Sequence, residues 1–332
     1  MNNYARWGLR LIGPALLAIF LWNTNFVQLA EAFRSIALWP VLLSLALMPA
    51  FIGVKAWRWS LLMRELDLRP PGLGYLMALY CIGLYYGGIT PGQAGDFVKG
   101  WYLRERGLSL PPVLFSIVLD RLFDFLIMAV LAVLGVVALL DAFRPEQRLP
   151  VQVATYGFAA LILLLTPLLL ARRPRERLMN AALALAPRRL RPPIERWRNQ
   201  FEARSRRPGL LLPVLMASLL SAASTIIRIY LLFLALPLER VPLLAIVSST
   251  ALIAILQALP ISFAGIGVRD AVLIAVLARY GYGSALALTL SALYLLINIE
   301  HIVVGFLVSL RYPLGRAPAD VLGDAAGEQA TR

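Results

Sequence analysis

The sequence predicts an all-α, polytopic membrane protein with about six transmembrane helices and two re-entrant helical hairpins. Two features of the composition support this fold class: 60% of the 332 residues are apolar and only 15% are charged. A soluble domain of this length does not bury so much apolar surface. The third feature is that the apolar residues form long runs separated by short polar breaks, which is the pattern of bilayer-spanning helices.

Six of these runs are long enough to span, since about 20 apolar residues cross the hydrocarbon core of a membrane. They lie near residues 10–30, 36–62, 111–140, 150–171, 209–236 and 284–310. The first run also resembles a signal peptide, because Arg6 and Arg10 precede it and Ala30-Glu31-Ala32 resembles a cleavage site. We retain it as a span, because the rest of the chain then has a consistent topology.

The arginines orient the chain. Residues 172–207 contain 12 arginines and three glutamates, whereas the charges of residues 141–148 sum to zero. Basic loops remain on the cytoplasmic side of a membrane. We therefore expect both termini in the cytoplasm. The basic loop is either a solvated, topology-setting segment or an amphipathic helix on anionic lipid headgroups.

Two further apolar regions each consist of two pieces that are too short to span. Residues 74–89 and 91–106 meet at Pro91-Gly92, and residues 243–259 and 267–279 flank Pro260. Each piece is shorter than the ~20 residues that a span needs. We expect each pair to form a re-entrant hairpin, the first entering from the cytoplasm and the second from the outside.

The two hairpins contain an internal repeat. Ala94-Gly95-Asp96-Phe97-Val98-Lys99 aligns with Ala264-Gly265-Ile266-Gly267-Val268-Arg269 at an offset of 170 residues. Two spans precede each copy and one follows it, so the second half is predicted to run with inverted topology, as in many secondary transporters. The predicted organisation is a single membrane domain, 1–316, with repeats near 10–140 and 150–312, and a disordered tail, 317–332.

The turns of the hairpins are rich in glycine and proline: Pro91, Gly92 and Gly95 in the first, and Pro260, Gly265 and Gly267 in the second. Non-helical backbone at membrane depth is tolerated only where protein buries it or water reaches it. Residues 88–95 should therefore line a cavity. A helix that begins near Asp96 offers free amides to an anion such as phosphate, although we favour Asp96 itself as the N-cap of that helix.

Ionisable residues inside the spans are the candidate substrate-binding residues, because a charge at the bilayer centre costs about 3 kcal/mol or more. The candidates are Arg58, Asp96, Lys99, Asp120, Arg121, Asp124, Arg269 and Glu300. Asp120 and Asp124 either form a structural ion-pair cluster with Lys99 or Arg269, or contact substrate or protons. Arg58 also fits an interfacial anchor. His301, beside Glu300, either shares a proton or packs between helices.

Several classes of function are excluded. Cys81 is the only cysteine and His301 the only histidine, so the chain has neither a disulfide framework nor a His/Cys zinc site, and we expect no metal and no cofactor. The net charge of +14 reflects arginines at a membrane surface, and we expect no nucleic-acid partner. No nucleotide-binding loop occurs in a strand–turn–helix context.

Taken in order, four motifs resemble the lysylphosphatidylglycerol synthetase/flippase membrane-domain family, also called the flippase-like domain. They are Arg58-Trp59, Pro91-Gly92-x-x-Gly95-Asp96-x-x-Lys99, Asp120-Arg121-x-x-Asp124 and Pro260-x-x-x-x-Gly265-x-Gly267-x-Arg269, and the resemblance covers roughly residues 5–315. It implies a domain of the bacterial inner membrane that moves lipid headgroups, either aminoacylated phosphatidylglycerol or glycolipids, across the bilayer.

Two departures from the family matter. Lys99 stands where the family commonly has arginine, and lysine makes no planar two-point contact with phosphate. No aminoacyl-transferase domain follows Arg316, so we expect a partner enzyme to synthesise the lipid.

The sequence thus predicts a lipid translocase, not an enzyme, with an anionic phospholipid or a lipid-linked glycan as substrate. Lys99 and Arg269 are expected to hold the headgroup phosphate, and the acyl chains are expected to stay in the bilayer. Two alternatives remain open: a membrane-embedded transferase that uses Asp96, Asp120 and Asp124 as acid, base or magnesium ligands, and a structural or regulatory membrane partner.

Overall fold

The computed structural model describes residues 26–185, 211–258 and 267–312, together with the single positions 195 and 209. These residues form helices and no strand. The α-helices are α1 (Phe26–Arg34), α2 (Leu38–Ala46), α3 (Met48–Glu65), α4 (Leu73–Ile89), α5 (Val98–Glu105), α6 (Leu110–Leu139), α7 (Pro145–Leu170), α8 (Arg172–Leu185), α9 (Leu211–Leu234), α10 (Leu243–Ala258), α11 (Val268–Arg279) and α12 (Ser284–Arg311). A 3₁₀ segment, Pro91–Phe97, joins α4 to α5.

Five stretches of the described chain are long and apolar enough to cross a membrane. They are Leu38–Glu65, Leu110–Ala142, Pro145–Leu170, Leu211–Leu234 and Ser284–Arg311. Five of the six predicted spans are therefore confirmed. The span near 10–30 lies almost wholly outside the described residues, as do most of the basic loop and the tail 317–332.

The first of these stretches is broken into α2 and α3 at Leu47. Pro49 is in the first turn of α3. Proline lacks an amide hydrogen and is favoured at this position, where no intrahelical hydrogen bond is needed. The break places α3, which carries two cationic side chains of the site described below, as a separate helix.

The chain reverses direction at the 3₁₀ segment, so that α5 returns along α4. The ammonium of Lys99 lies 4.0 Å from the ring centroid of Tyr80, and the guanidinium of Arg106 lies 3.5 Å from that of Tyr75. A β-carbon at Gly83 would collide with the carboxylate of Asp96. Glycine is therefore required there, because it lets the 3₁₀ segment approach α4.

The second predicted hairpin shows the same reversal. The backbone amide of Arg240, before α10, donates to the hydroxyl of Tyr282, after α11, at 3.0 Å, so the outer ends of these two helices lie together. Gly267, with φ of 84°, precedes α11. The turn itself, including Pro260 and Gly265, lies outside the described residues. The re-entrant placement of both hairpins in a membrane stays a prediction.

Corresponding helices of the two halves begin at the predicted offset. α4 begins at residue 73 and α10 at 243, and α5 begins at 98 and α11 at 268. The most extensive helix contacts are α6 with α10 and α4 with α12, which exchange places when the halves are exchanged. This is what two related halves produce, although their inverted orientation in a membrane stays a prediction.

Two glycines at the same offset allow these contacts. A β-carbon at Gly135 of α6 would lie 2.7 Å from the Cβ of Ser248 of α10. A β-carbon at Gly305 of α12 would collide with the carbonyl of Cys81 of α4. The pair belongs to the sequence repeat, but the comparison of the two hairpins did not extend to it.

Candidate functional site

Seven charged side chains from α3, the 3₁₀ segment, α5 and α6 form one network of ion pairs. They are Lys55, Arg58, Asp96, Lys99, Asp120, Arg121 and Asp124. Lys55 and Arg58 are three residues apart and therefore share one face of α3, as Asp120 and Asp124 share one face of α6. The network brings together six of the eight sequence-predicted binding residues, and Lys55 joins them.

Arg58 is the centre of one half of this network. Its Nε lies 2.9 Å from Oδ1 of Asp120, and its Nη1 lies 2.6 Å from Oδ1 of Asp124. Its side chain is 0% exposed. The interpretation of Arg58 as an interfacial anchor is therefore wrong, because its guanidinium turns inward to two carboxylates of α6.

Lys55 was missed as a candidate. Its Nζ lies 2.9 Å from Oδ2 of Asp124. Its spacing of three residues from Arg58 was the available signal. Among the described residues, the cations that hold Asp120 and Asp124 are Arg58 and Lys55, and the expected pairing with Lys99 or Arg269 is wrong.

Asp96 is the centre of the other half. Its Oδ2 lies 2.9 Å from Nε and 2.7 Å from Nη2 of Arg121, and its Oδ1 lies 2.8 Å from Nζ of Lys99. Asp96 does not cap a helix: α5 begins at Val98, and Phe97 occupies the N-cap position without a side-chain hydrogen bond. The N-cap prediction is wrong because the 3₁₀ segment extends through Asp96 and turns its carboxylate toward α4 and α6.

Tyr80 joins the two halves of the network. Its hydroxyl donates to Oδ2 of Asp120, and the face of its ring lies against the ammonium of Lys99. The ring of Trp59 covers the same ammonium, with its centroid 4.9 Å away. A lysine that is fully buried between two aromatic rings and a carboxylate gains cation–π stabilisation and has no access to bulk water.

Arg121 is the most accessible cation of the network, with a side chain that is 21% exposed. Together with Asp96 it lines a cavity of about 270 Å³ between the 3₁₀ segment, α6 and α7. The other walls of the cavity are apolar, among them Phe125 of α6 and Phe158 of α7. The network thus reaches a largely hydrocarbon-like space at one cation.

Arg269 lies in a separate cluster in the second half. Its Nε donates to Oγ of Ser291 at 2.7 Å, and the hydroxyl of Ser291 donates to Asp270. Asp270 also accepts the amide of Gly267 at 2.7 Å, at the start of α11. Within the described ranges no ion pair joins Arg269 to the seven-residue network.

Glu300 belongs to a third cluster, built around Arg228 of α9. The Nη2 of Arg228 pairs with the carboxylate of Glu300, and its Nη1 lies 2.9 Å from Nε2 of His301. Its Nε donates to the carbonyl of Ser44 at 2.9 Å. Arg228 thus links Glu300 and His301. It lies 170 residues after Arg58, a further match of the repeat that the comparison of the two hairpins did not reveal.

No group of three or more His, Cys, Asp or Glu side chains within the described ranges is placed to hold a metal ion. Asp96, Asp120 and Asp124 are each bound to at least one cationic side chain. These aspartates accordingly act as partners of buried cations in this structure.

Apolar helices of spanning length that enclose charged side chains define a polytopic α-helical membrane protein. The chain belongs to the family described as the lysylphosphatidylglycerol synthase TM region, whose model matches residues 7–305. This match confirms the resemblance seen in the motifs. A comparison with curated protein sequences gave no match.

Proposed function

We propose that the protein is a lipid translocase that carries the polar headgroup of an anionic phospholipid or a lipid-linked glycan across the inner membrane. The observation that carries this proposal is the seven-residue network, which is enclosed by helices of spanning length and contains four cations and three carboxylates. Charged residues within spans mark substrate pathways in membrane proteins, and the family is lipid-related.

The charge balance of the network suits an anionic headgroup. Four cations and three carboxylates leave one positive charge in excess, and a lipid phosphate supplies the missing negative charge. Arginine is suited to phosphate because its planar guanidinium offers two parallel donors. Arg121 is the best placed of the four cations, since it is partly exposed and lines the cavity.

Shared carboxylates allow Arg121 to exchange partners. Asp96 is held by Lys99 as well as by Arg121. When Arg121 turns to a phosphate, Lys99 still neutralises Asp96, so no buried carboxylate is left without a cation. Lys99 then acts as the holding charge at the resting site, and direct phosphate contact by Lys99 needs a rearrangement of the aromatic rings around it.

Arg269 serves in this proposal as a second phosphate contact in the other half of the repeat. Its guanidinium is 2% exposed, and among the described residues it pairs with a serine hydroxyl instead of a carboxylate. Two cation sites at corresponding places of inverted halves are suited to opening toward opposite faces. Movement down a gradient needs no energy source, and uphill movement can use the membrane potential, worth ~2.3 kcal/mol per charge per 100 mV.

Lipid scrambling in proteoliposomes tests the proposal. Fluorescent phosphatidylglycerol, aminoacylated phosphatidylglycerol and a polyprenyl phosphate serve as probes, with and without a proton gradient. We expect protein-dependent movement of at least one probe, reduced at least tenfold in Arg121→Ala and in Arg269→Ala. Arg148→Ala is the matched control, because Arg148 lies on the surface with only a 3.4 Å ion pair to Asp141. No movement of any probe by the wild-type protein would overturn the proposal.

A further inference from the structure

The cavity beside Arg121 is amphipathic. Two charged side chains, Asp96 and Arg121, line it from the 3₁₀ segment and α6, and the rest of its lining is apolar. Phe125 and Phe158 pack edge to face across it, with ring centroids 5.4 Å apart. A cavity with one ionic element and otherwise hydrocarbon walls matches the chemistry of a lipid, whose charged phosphate is joined to an alkyl chain.

The apolar part of the cavity is elongated along α7. Its lining residues on this helix run from Phe158 to Leu169. At 1.5 Å of rise per residue this segment is about 16 Å long. One leaflet of the hydrocarbon core is about 15 Å thick, half of the ~30 Å of the whole core. The segment therefore has the length of the apolar part of one leaflet.

The volume limits what the cavity can hold. Pockets for whole small molecules have volumes of roughly 300–1,000 Å³, whereas this cavity measures about 270 Å³. A single alkyl chain is compatible with that volume, but a headgroup together with two chains is not. The lining residue Leu165 is only partly buried, so the cavity can admit a chain from the side.

We infer that this cavity binds one hydrocarbon chain of the lipid whose phosphate contacts Arg121. The inference rests on the proposed function for its physiological role, and it replaces the expectation that the acyl chains remain in the bulk bilayer. The α6–α7 surface then fixes the lipid at both its ionic and its apolar part. The protein selects its substrate by chain as well as by headgroup.

Photo-crosslinking tests the inference on the full-length protein in nanodiscs. The probe is phosphatidylglycerol with a diazirine in the middle of one acyl chain, and peptide mapping locates the crosslinks. Leu165→Trp fills the cavity. Leu164→Trp is the matched control, because Leu164 is the adjacent residue of α7 and is 68% exposed on the outer face. Leu169→Trp is a second filling variant in case Leu165→Trp does not fold.

We expect crosslinks to concentrate on the cavity-lining segments of α6 and α7. Cavity filling should reduce them at least threefold, as should Arg121→Gln, and Leu164→Trp should leave them unchanged. Crosslinks spread evenly over the outward faces of the helices, or unchanged after cavity filling, would overturn the inference. So would complete displacement of the probe by glycerol 3-phosphate, since this result shows an anion site without a chain site.

The crosslinking result is separable from the translocase result. Crosslinks in the cavity of a protein that scrambles no probe would reject translocation and support a lipid-chain site. Scrambling without cavity crosslinks would support translocation and reject the chain site.

Discussion

Arg121 holds one carboxylate oxygen of Asp96 with two guanidinium nitrogens, at 2.9 Å from Nε and 2.7 Å from Nη2. Because Lys99 holds the other oxygen, at 2.8 Å, the same buried carboxylate neutralises two cations. Asp96 is 1% exposed, so water does not replace it when it is removed. The stability of the fold around the first hairpin therefore depends on this one charge.

Asp96→Asn should lower the free energy of unfolding by about 3–5 kcal/mol, the range for breaking a buried ion pair by removing one partner. The cause is the buried ammonium of Lys99, which then has no carboxylate beside it. Unfolding by SDS titration in mixed micelles measures the change. Adding Lys99→Met should restore part of the loss, and a double variant as unstable as Asp96→Asn would contradict this account.

Tyr80→Phe should lower the free energy of unfolding by about 1–3 kcal/mol, because the hydroxyl of Tyr80 donates to the buried carboxylate of Asp120. The ring, and its contact with Lys99, is retained. Tyr156→Phe is the control, since Tyr156 is 38% exposed on α7, and its effect should stay within ~0.5 kcal/mol. Equal effects of the two substitutions would argue against the hydrogen bond.

Gly305→Ala should destabilise the protein by about 1–3 kcal/mol, because the new methyl group meets the carbonyl of Cys81 and forces α12 away from α4. Gly157→Ala is the matched control: nothing lies within 4 Å of its added β-carbon, and alanine should stabilise α7 by up to ~1 kcal/mol. Thermal unfolding in detergent compares them. A neutral Gly305→Ala would mean that α4 and α12 are not closely packed.

Arg228→Met should lower the free energy of unfolding by about 3–5 kcal/mol, because it leaves the carboxylate of Glu300 among apolar residues of α12. The double variant Arg228→Met/Glu300→Gln should recover part of this loss, since the second substitution removes the stranded charge. SDS titration again provides the measurement. Additive losses in the double variant would show that the two side chains do not interact.

Local sequence patterns predicted the helices well. The apolar pieces 74–89 and 243–259 are observed as α4, Leu73–Ile89, and α10, Leu243–Ala258. A span is determined by the length of its apolar run, and a reversal by glycine and proline, so both can be inferred over short windows. The same reasoning failed for Asp96, because whether the chain enters an α-helix or a 3₁₀ segment after Pro91 depends on packing against α4.

The sequence by itself determined that this is a polytopic helical membrane protein, where its described spans lie, and that charged residues sit inside them. Only the tertiary structure decided which charges meet. Arg58 reaches Asp120 across 62 positions of the chain, and Arg228 reaches Ser44 across 184. The physical reason is that hydrophobicity is read along the chain, whereas ion-pair partners are chosen by the helix faces that close packing brings together.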